Sequence, residues 1–168
     1  MNYLILFLLL ATHPGVWRWS VKTLTDPSAA HLVAVEPATI QALSVLKPPV
    51  RLVSSTPRQP AERQVYQVSA LLVGLKLEAD GDDHLILRDA QGRTMIAEIP
   101  NPAYCTRSRY HAEIASARAA FGTRHAGKLP GIPVTVTGPL FFDEPHGQSG
   151  HAANYAEIHP VLSFQQGP

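Results

Sequence analysis

Cysteine is nearly missing from this chain. Cys105 is the one thiol in 168 residues, so no intrachain disulfide can brace the fold. Export stays open even so, because only domains with small cores need bridges. Cys105 follows a Pro–Ala–Tyr turn and precedes a helical stretch, a setting for a small buried side chain rather than a nucleophile. Charged residues make up 16% of the chain, below the usual share of about a quarter, so solvation leans on neutral polar groups and 15 prolines. Aromatic residues are only 7%. Beyond Phe141, Phe142 and Tyr155 there is little on which single-stranded nucleic acid could stack. A basic footprint is lacking too. Residues 62–168 hold nine basic against eleven acidic side chains, a balance of −2, and residues 1–61 hold five against two. That charge argues against sequence-indifferent nucleic-acid binding.

Long apolar runs are also absent. The longest opening run, Tyr3 to Ala11, is nine residues, too short for a bilayer but suited to the apolar region of a secretory signal. Residues 1–20 therefore read as a targeting segment. The expected location is secreted or periplasmic, with no transmembrane segment in the mature chain. No Gly-x-Ser-x-Gly elbow, phosphate-binding loop, dinucleotide fingerprint or His-Glu-x-x-His helix occurs.

What is present falls into zones. Residues 21–61 form a Pro-rich extension, in which "HLVAV" reads as a short strand. "PATIQALSVL" reads as a short helix with Pro37 in its first turn and Ile40, Leu43 and Leu46 on one face. Residues 62–168 are patterned as a domain. "QVYQVSALLVGLKLE" is a long strand bent at Gly74, and "HLILRD" and "RTMIAEIP" are two more. "SRYHAEIASARAAFG" is an amphipathic helix with Ser108 as N-cap and Gly122 at its end. "IPVTVTGPLFF" and "EIHPVLSFQ" supply the fourth and fifth strands. Three strands, a helix and two strands is the order of an OB-fold, a mainly β, five-stranded Greek-key barrel. A generic α+β sandwich is the alternative.

Register follows from the turn "DAQGR". With Ala90, Gln91 and Gly92 as a three-residue loop, Ile86 faces Ile96 and His84 faces Glu98 across the hairpin. Leu85, Leu87, Met95, Ala97 and Ile99 take the core face, so His84 and Glu98 point outward. In an OB barrel this outer face, flanked by the one–two and four–five loops, is where ligands bind. Here those loops are "EADGDD" and "DEPHGQSGHAANYA". The pattern gathers Asp80, Asp82, Asp83, His84, Glu98, His146, His151, Glu157 and His159 at one end. Glu157 and His159, two apart on one strand, share a face. His84, Glu98, His146, Glu157 and His159 are the candidate catalytic groups. Asp80, Asp82, Asp83, Gln148 and Asn154 are the candidate ligand-binding groups, and His84, His146 and His159 the candidate metal ligands. The bland readings are a solvated turn for "ADGDD" and a surface ion pair for His84 and Glu98.

The pieces "VKTLTD", "DGDDHLIL", "TMIAEIP", "FFDEPHGQSG" and "EIHPVLSF" resemble a family of short uncharacterised bacterial proteins, many with export signals. The resemblance implies that His84, Glu98, His146, Glu157 and His159 belong to a family signature, and it implies no activity. "DGDDHLILRDAQGRTMIAEIPNP" is also similar to the strand and hairpin of staphylococcal-nuclease-like enzymes. Where those enzymes carry an arginine, near the end of the third strand, this chain has Ala97 and Glu98. The likeness implies a shared fold, not a shared mechanism.

Three functions compete on these residues. One is a binding domain for a small polar ligand or a divalent metal, with mixed imidazole and carboxylate donors suiting zinc or manganese. Another is a metal-assisted phosphodiester or ester hydrolase. The last is a structural or partner-binding protein in which the cluster braces a loop.

Overall fold

The computed structural model describes residues 17–167. The apolar run Tyr3–Ala11, and with it most of the expected targeting segment, lies outside the described residues. Within them the protein is mainly β. Its strands are β1 (Glu36–Ala38), β2 (Val65–Leu77), β3 (Asp83–Arg88), β4 (Thr94–Ile99), β5 (Gly127–Phe142), β6 (Ala156–Ile158) and β7 (Ser163–Gln166). Its α-helices are α1 (Trp19–Lys22), α2 (Ile40–Ser44) and α3 (His111–Phe121). Among the described residues no helix is long and apolar enough to cross a membrane.

The sheet has seven strands, in the order β1-β2-β3-β4-β6-β5-β7, with β5 also paired to β2. The five strands expected from the sequence become seven for two reasons. A short parallel strand, β1, adds to the edge of β2. The expected fifth strand splits into β6 and β7. Ile158 faces Leu140 and Ser163 faces Thr137, so four residues, 159–162, lie opposite two. Pro160, which has no N–H to donate, sits in that bulge after a cis His159–Pro160 bond. Gly138 lies beneath it because any Cβ there would run into the carbonyl oxygen of Pro160 and the side chain of Ile158.

The hairpin between β3 and β4 has the expected register, with His84 opposite Glu98 and Ile86 opposite Ile96. Gly92 takes φ 82°, and Asp89 Oδ1 accepts from the N–H groups of Gln91 and Arg93, each at 2.9 Å. Leu85, Leu87, Met95, Ala97 and Ile99 are buried and form the core with Val68, Leu72, Val136, Leu140 and Ile158. β2 slips register between Leu72 and Gly74, where it bends over Ile86.

Two local expectations in the extension are corrected. The strand is Glu36–Ala38 rather than "HLVAV", because residues 31–35 leave a 3-10 turn (Pro27–His31) before β1 begins. Pro37 therefore lies in β1, and Thr39 caps α2 by accepting from the N–H of Ala42 at 3.1 Å. In α3, Tyr110 rather than Ser108 occupies the cap position. Ser108 instead holds the turn before the helix, its hydroxyl donating to Leu24 O at 3.2 Å and accepting from Tyr110 N–H at 3.2 Å. Gly122, at φ 71°, ends the helix as expected. Ile114, Ala117 and Phe121 are its buried face, and Phe121 packs edge-on against Phe164 of β7.

The extension is pinned by two buried arginines. Arg18 is paired with Glu62 through both guanidinium ends and also donates to the carbonyls of Thr56, Pro57 and Phe142. Arg58 bonds Asp26 and the carbonyls of Val21 and Glu62. Together they fasten residues 17–26 against the end of β5, and that placement brings Lys22 to the site.

Candidate functional site

β4 and the β6–β7 bulge build the centre of the site. Val161 N–H donates to Glu98 O at 2.8 Å and His159 N–H to Pro139 O at 3.1 Å, so the bulge is fixed against both neighbouring strands. His159 thereby faces Glu98. Its Nδ1 is 2.9 Å from Glu98 Oε2 and 3.9 Å from Glu157 Oε2. The short approach is poorly aligned, and neither ring nitrogen of His159 makes a hydrogen bond of good geometry, although the residue is fully buried. Glu157 Oε2 is left in the same state.

His84 stands differently. Its Nδ1–H donates to Glu98 Oε1 at 3.0 Å, and its Nε2 lies 3.4 Å from the carbonyl oxygen of Ser149. Burial works against the charged ring, but the hydrogen bond and the charge of Glu98 outweigh it and raise its pKa above 6.5. His84 orients Glu98 and lies outside the group whose donor atoms converge. The group able to ligate is Asp82, Glu98 and His159, whose donor atoms all lie within 4.8 Å of one another.

The expected outward, open face is in fact covered. His84, Glu98 and Ile96 lie on the side away from the core yet are buried, because the connection from β5 to β6 folds over them. Gly150 sits against Ile86, where a side chain would collide, and Thr94 donates to His151 O at 3.4 Å. Beside this cover remains a cavity of about 200 Å³, bordered by Trp17, Lys22, Glu78, Asp80, Glu98 and Asp143.

The other sequence candidates are placed as follows. Asp80 borders the cavity and accepts from Asp82 N–H at 3.2 Å. Asp82 is buried and accepts from Asn101 N–H at 2.9 Å. Asp83 points to the opposite side, paired with Arg118 of α3 at 3.0 Å, as strand alternation from His84 requires. His146 stays largely exposed at the cavity edge, its Nδ1 2.9 Å from Glu144 O and 3.4 Å from Asp143 Oδ2. Gln148 is buried and braces the loop, donating to Asp143 Oδ2 and Glu144 O. Asn154 is a clamp on α2, its amide donating to Leu43 O at 2.9 Å and Leu46 O at 2.8 Å. His151 stacks on Tyr155 at 4.4 Å, away from the acidic centre. Of the metal candidates, then, His159 lies in the ligating group while His84 and His146 do not. Asp82 and Glu98 join it.

Sequence reasoning passed over Lys22, which is 7% exposed at the heart of this acidic group. No local pattern marks it, because its place depends on Arg18 and Arg58 reaching across the fold.

Charges in the site act strongly on one another. Burial pushes Glu98 up, but His159 and His84 beside it and Lys22 nearby overcome this and hold its carboxyl well below 4.5. Burial pushes His159 down, while Glu98 and Glu157 raise it to about 9. Burial raises Glu157 to about 7 against the pull of His159. Asp82 is raised to about 7, again by burial first. Burial works against the charged form of Lys22, yet Glu98, Asp143, Glu157 and Asp82 together hold its pKa above 10.5. Cys105 is buried, and burial raises its thiol to about 12, so it takes no part as a nucleophile.

No protein-family model matches the chain, and no curated protein matches it. Among solved structures, asparaginyl-tRNA synthetase of Entamoeba histolytica is similar at a TM-score of 0.44 and 11% identity. The likeness covers 81% of this chain and 25% of that one, so this chain spans about a quarter of the synthetase's length.

Proposed function

We propose that the chain is an OB-fold-like binding domain that holds one divalent cation, zinc or manganese, on Asp82, Glu98 and His159. The OB reading is supported by the circuit of pairings β2-β3-β4-β6-β5 and back to β2. β4 and β6 are parallel in it, and α3 falls between β4 and β5.

The observation that carries the metal is His159, fully buried with both ring nitrogens lacking a hydrogen bond and with two carboxylates in ligand range. Buried polar atoms are nearly always satisfied, so an orphaned imidazole beside carboxylates calls for a ligand. One nitrogen and two oxygen donors suit zinc or manganese and lack the all-oxygen shell calcium prefers. His84 behind Glu98 and Glu157 behind His159 would orient the donors, the part outer partners play in metal sites.

Metal-free protein titrated with zinc and with manganese in a calorimeter tests this. One equivalent of either ion is expected to bind, with affinity falling at least about tenfold in Glu98→Gln and His159→Gln. No heat of binding, or binding indifferent to both substitutions, would contradict it. The apolar run at Tyr3–Ala11 carries the accompanying proposal that the chain works outside the cytoplasm, which cell fractionation tests.

A further inference from the structure

Residues 45–53 of the extension hold apolar side chains out in water. Val45 is 76% exposed, Val50 88% and Val53 49%. The leucines among them, Leu46 and Leu52, fold back against the core. The segment is anchored at both ends, where Asn154 donates to Leu46 O at 2.8 Å and Arg18 to Thr56 O at 3.0 Å. Between the anchors Pro48 and Pro49 stiffen the chain. Arg51 takes φ 130°, rare for a residue with a side chain, and its N–H donates to Pro49 O at 3.0 Å. Val50 is thus presented at the apex of a fixed turn.

The charge around this apex has one sign. Lys47 and Arg51 flank it, both exposed, and neither is in an ion pair among the described residues. No acidic residue occurs from Pro37 to Ala61. Asp143 and Glu144 share a groove with Pro48, Pro49 and Arg51, but Asp143 is buried and paired with Lys22, which leaves Glu144 as the exposed acid there. We propose that this turn docks the protein on an anionic lipid surface, Val50 entering the boundary of the acyl chains and Lys47 and Arg51 meeting the headgroups. A protein partner would need a pocket shaped to this convex tip, whereas a lipid surface admits it anywhere. Apolar burial and attraction to anionic lipid add, so two weak signals together give a reversible hold. The metal plays no part in it.

The test is co-sedimentation of the full chain with vesicles of phosphatidylcholine alone and with phosphatidylserine added. The anionic vesicles are expected to bind at least about fivefold more tightly, and the margin should shrink as salt is raised. Val50→Ser should weaken binding to them about fivefold, and Lys47→Gln with Arg51→Gln should remove the preference for them. All three side chains are exposed, so circular dichroism should match the parent chain. The opening apolar run is common to every form, so the ratios between forms report the turn. No binding, equal binding to both vesicles, or binding indifferent to these substitutions overturns the proposal. A lipid-free dimer that Val50→Ser abolishes, with no binding to vesicles, assigns the turn to a second copy of the chain and overturns it as well.

Discussion

Glu98 Oε2 and His159 Nδ1 approach to 2.9 Å without the alignment of a hydrogen bond. The contact is an ion pair whose poor alignment is set by the backbone around it. The backbone bonds of Val161 to Glu98 and of His159 to Pro139 do the positioning.

That positioning depends on Gly138. A methyl at this residue would press on Pro160 and Ile158, either side of His159. Gly138→Ala is expected to cost about 1–3 kcal/mol in urea denaturation and to weaken metal binding. Unchanged stability would show that the bulge relaxes freely.

The pH dependence of the metal-free protein follows from the same cluster. His159 is raised from 6.5 to about 9, so its contribution is full below pH 6.5 and is lost as pH climbs to about 9. Glu157, raised from 4.5 to about 7, and Asp82, raised from 3.8 to about 7, lose theirs as pH rises toward 7. Glu98, held well below 4.5, works oppositely and loses its contribution as pH falls. Thermal melts should therefore peak near pH 4, by these shifts, and decline steadily toward pH 9. Excess zinc should reverse the decline above pH 7, since the ligands must shed protons to bind it. A melting temperature that rises from pH 5 to 9 without metal would contradict the assignment.

The buried pair of Arg18 and Glu62 is fully enclosed. Arg18→Ala leaves Glu62 charged and unpaired among the bonds it accepts from Phe142 and Gln59. The expected loss is about 3–5 kcal/mol in chemical denaturation, with release of the Lys22 segment from the site.

Asn154 separates bracing from ligand contact. Its amide donates to Leu43 O in α2 and to Leu46 O just past that helix, not to the cavity. Asn154→Ala should cost about 1–2 kcal/mol of stability and leave metal affinity unchanged by calorimetry.

Local rules made part of this legible. The Gly92 turn fixes the β3–β4 register within a few residues, and alternation then places His84 opposite Glu98 and separates both from the core leucines. Glu157 and His159 were readable as neighbours for the same reason. Exposure was not, because the cover over Glu98 comes from a connection some fifty residues further along, around Ser149 and Gly150. Lys22 was out of reach altogether. Its place is set by Arg18 reaching Glu62 and Phe142, contacts 44 and 124 residues apart in the chain. For Gln148 and Asn154 the bracing bonds were not legible, because a polar loop residue can face a ligand or a neighbouring backbone carbonyl, and only packing decides between them.

The central claim is that Glu98 and His159 share one metal ion. Anomalous scattering at the zinc edge from crystals grown with zinc tests it most directly. The account predicts a single strong peak about 2 Å from a ring nitrogen of His159 and from carboxylate oxygens of Glu98 and Asp82. A zinc-soaked crystal with no peak there, or with its peak on exposed histidines such as His146, would contradict it.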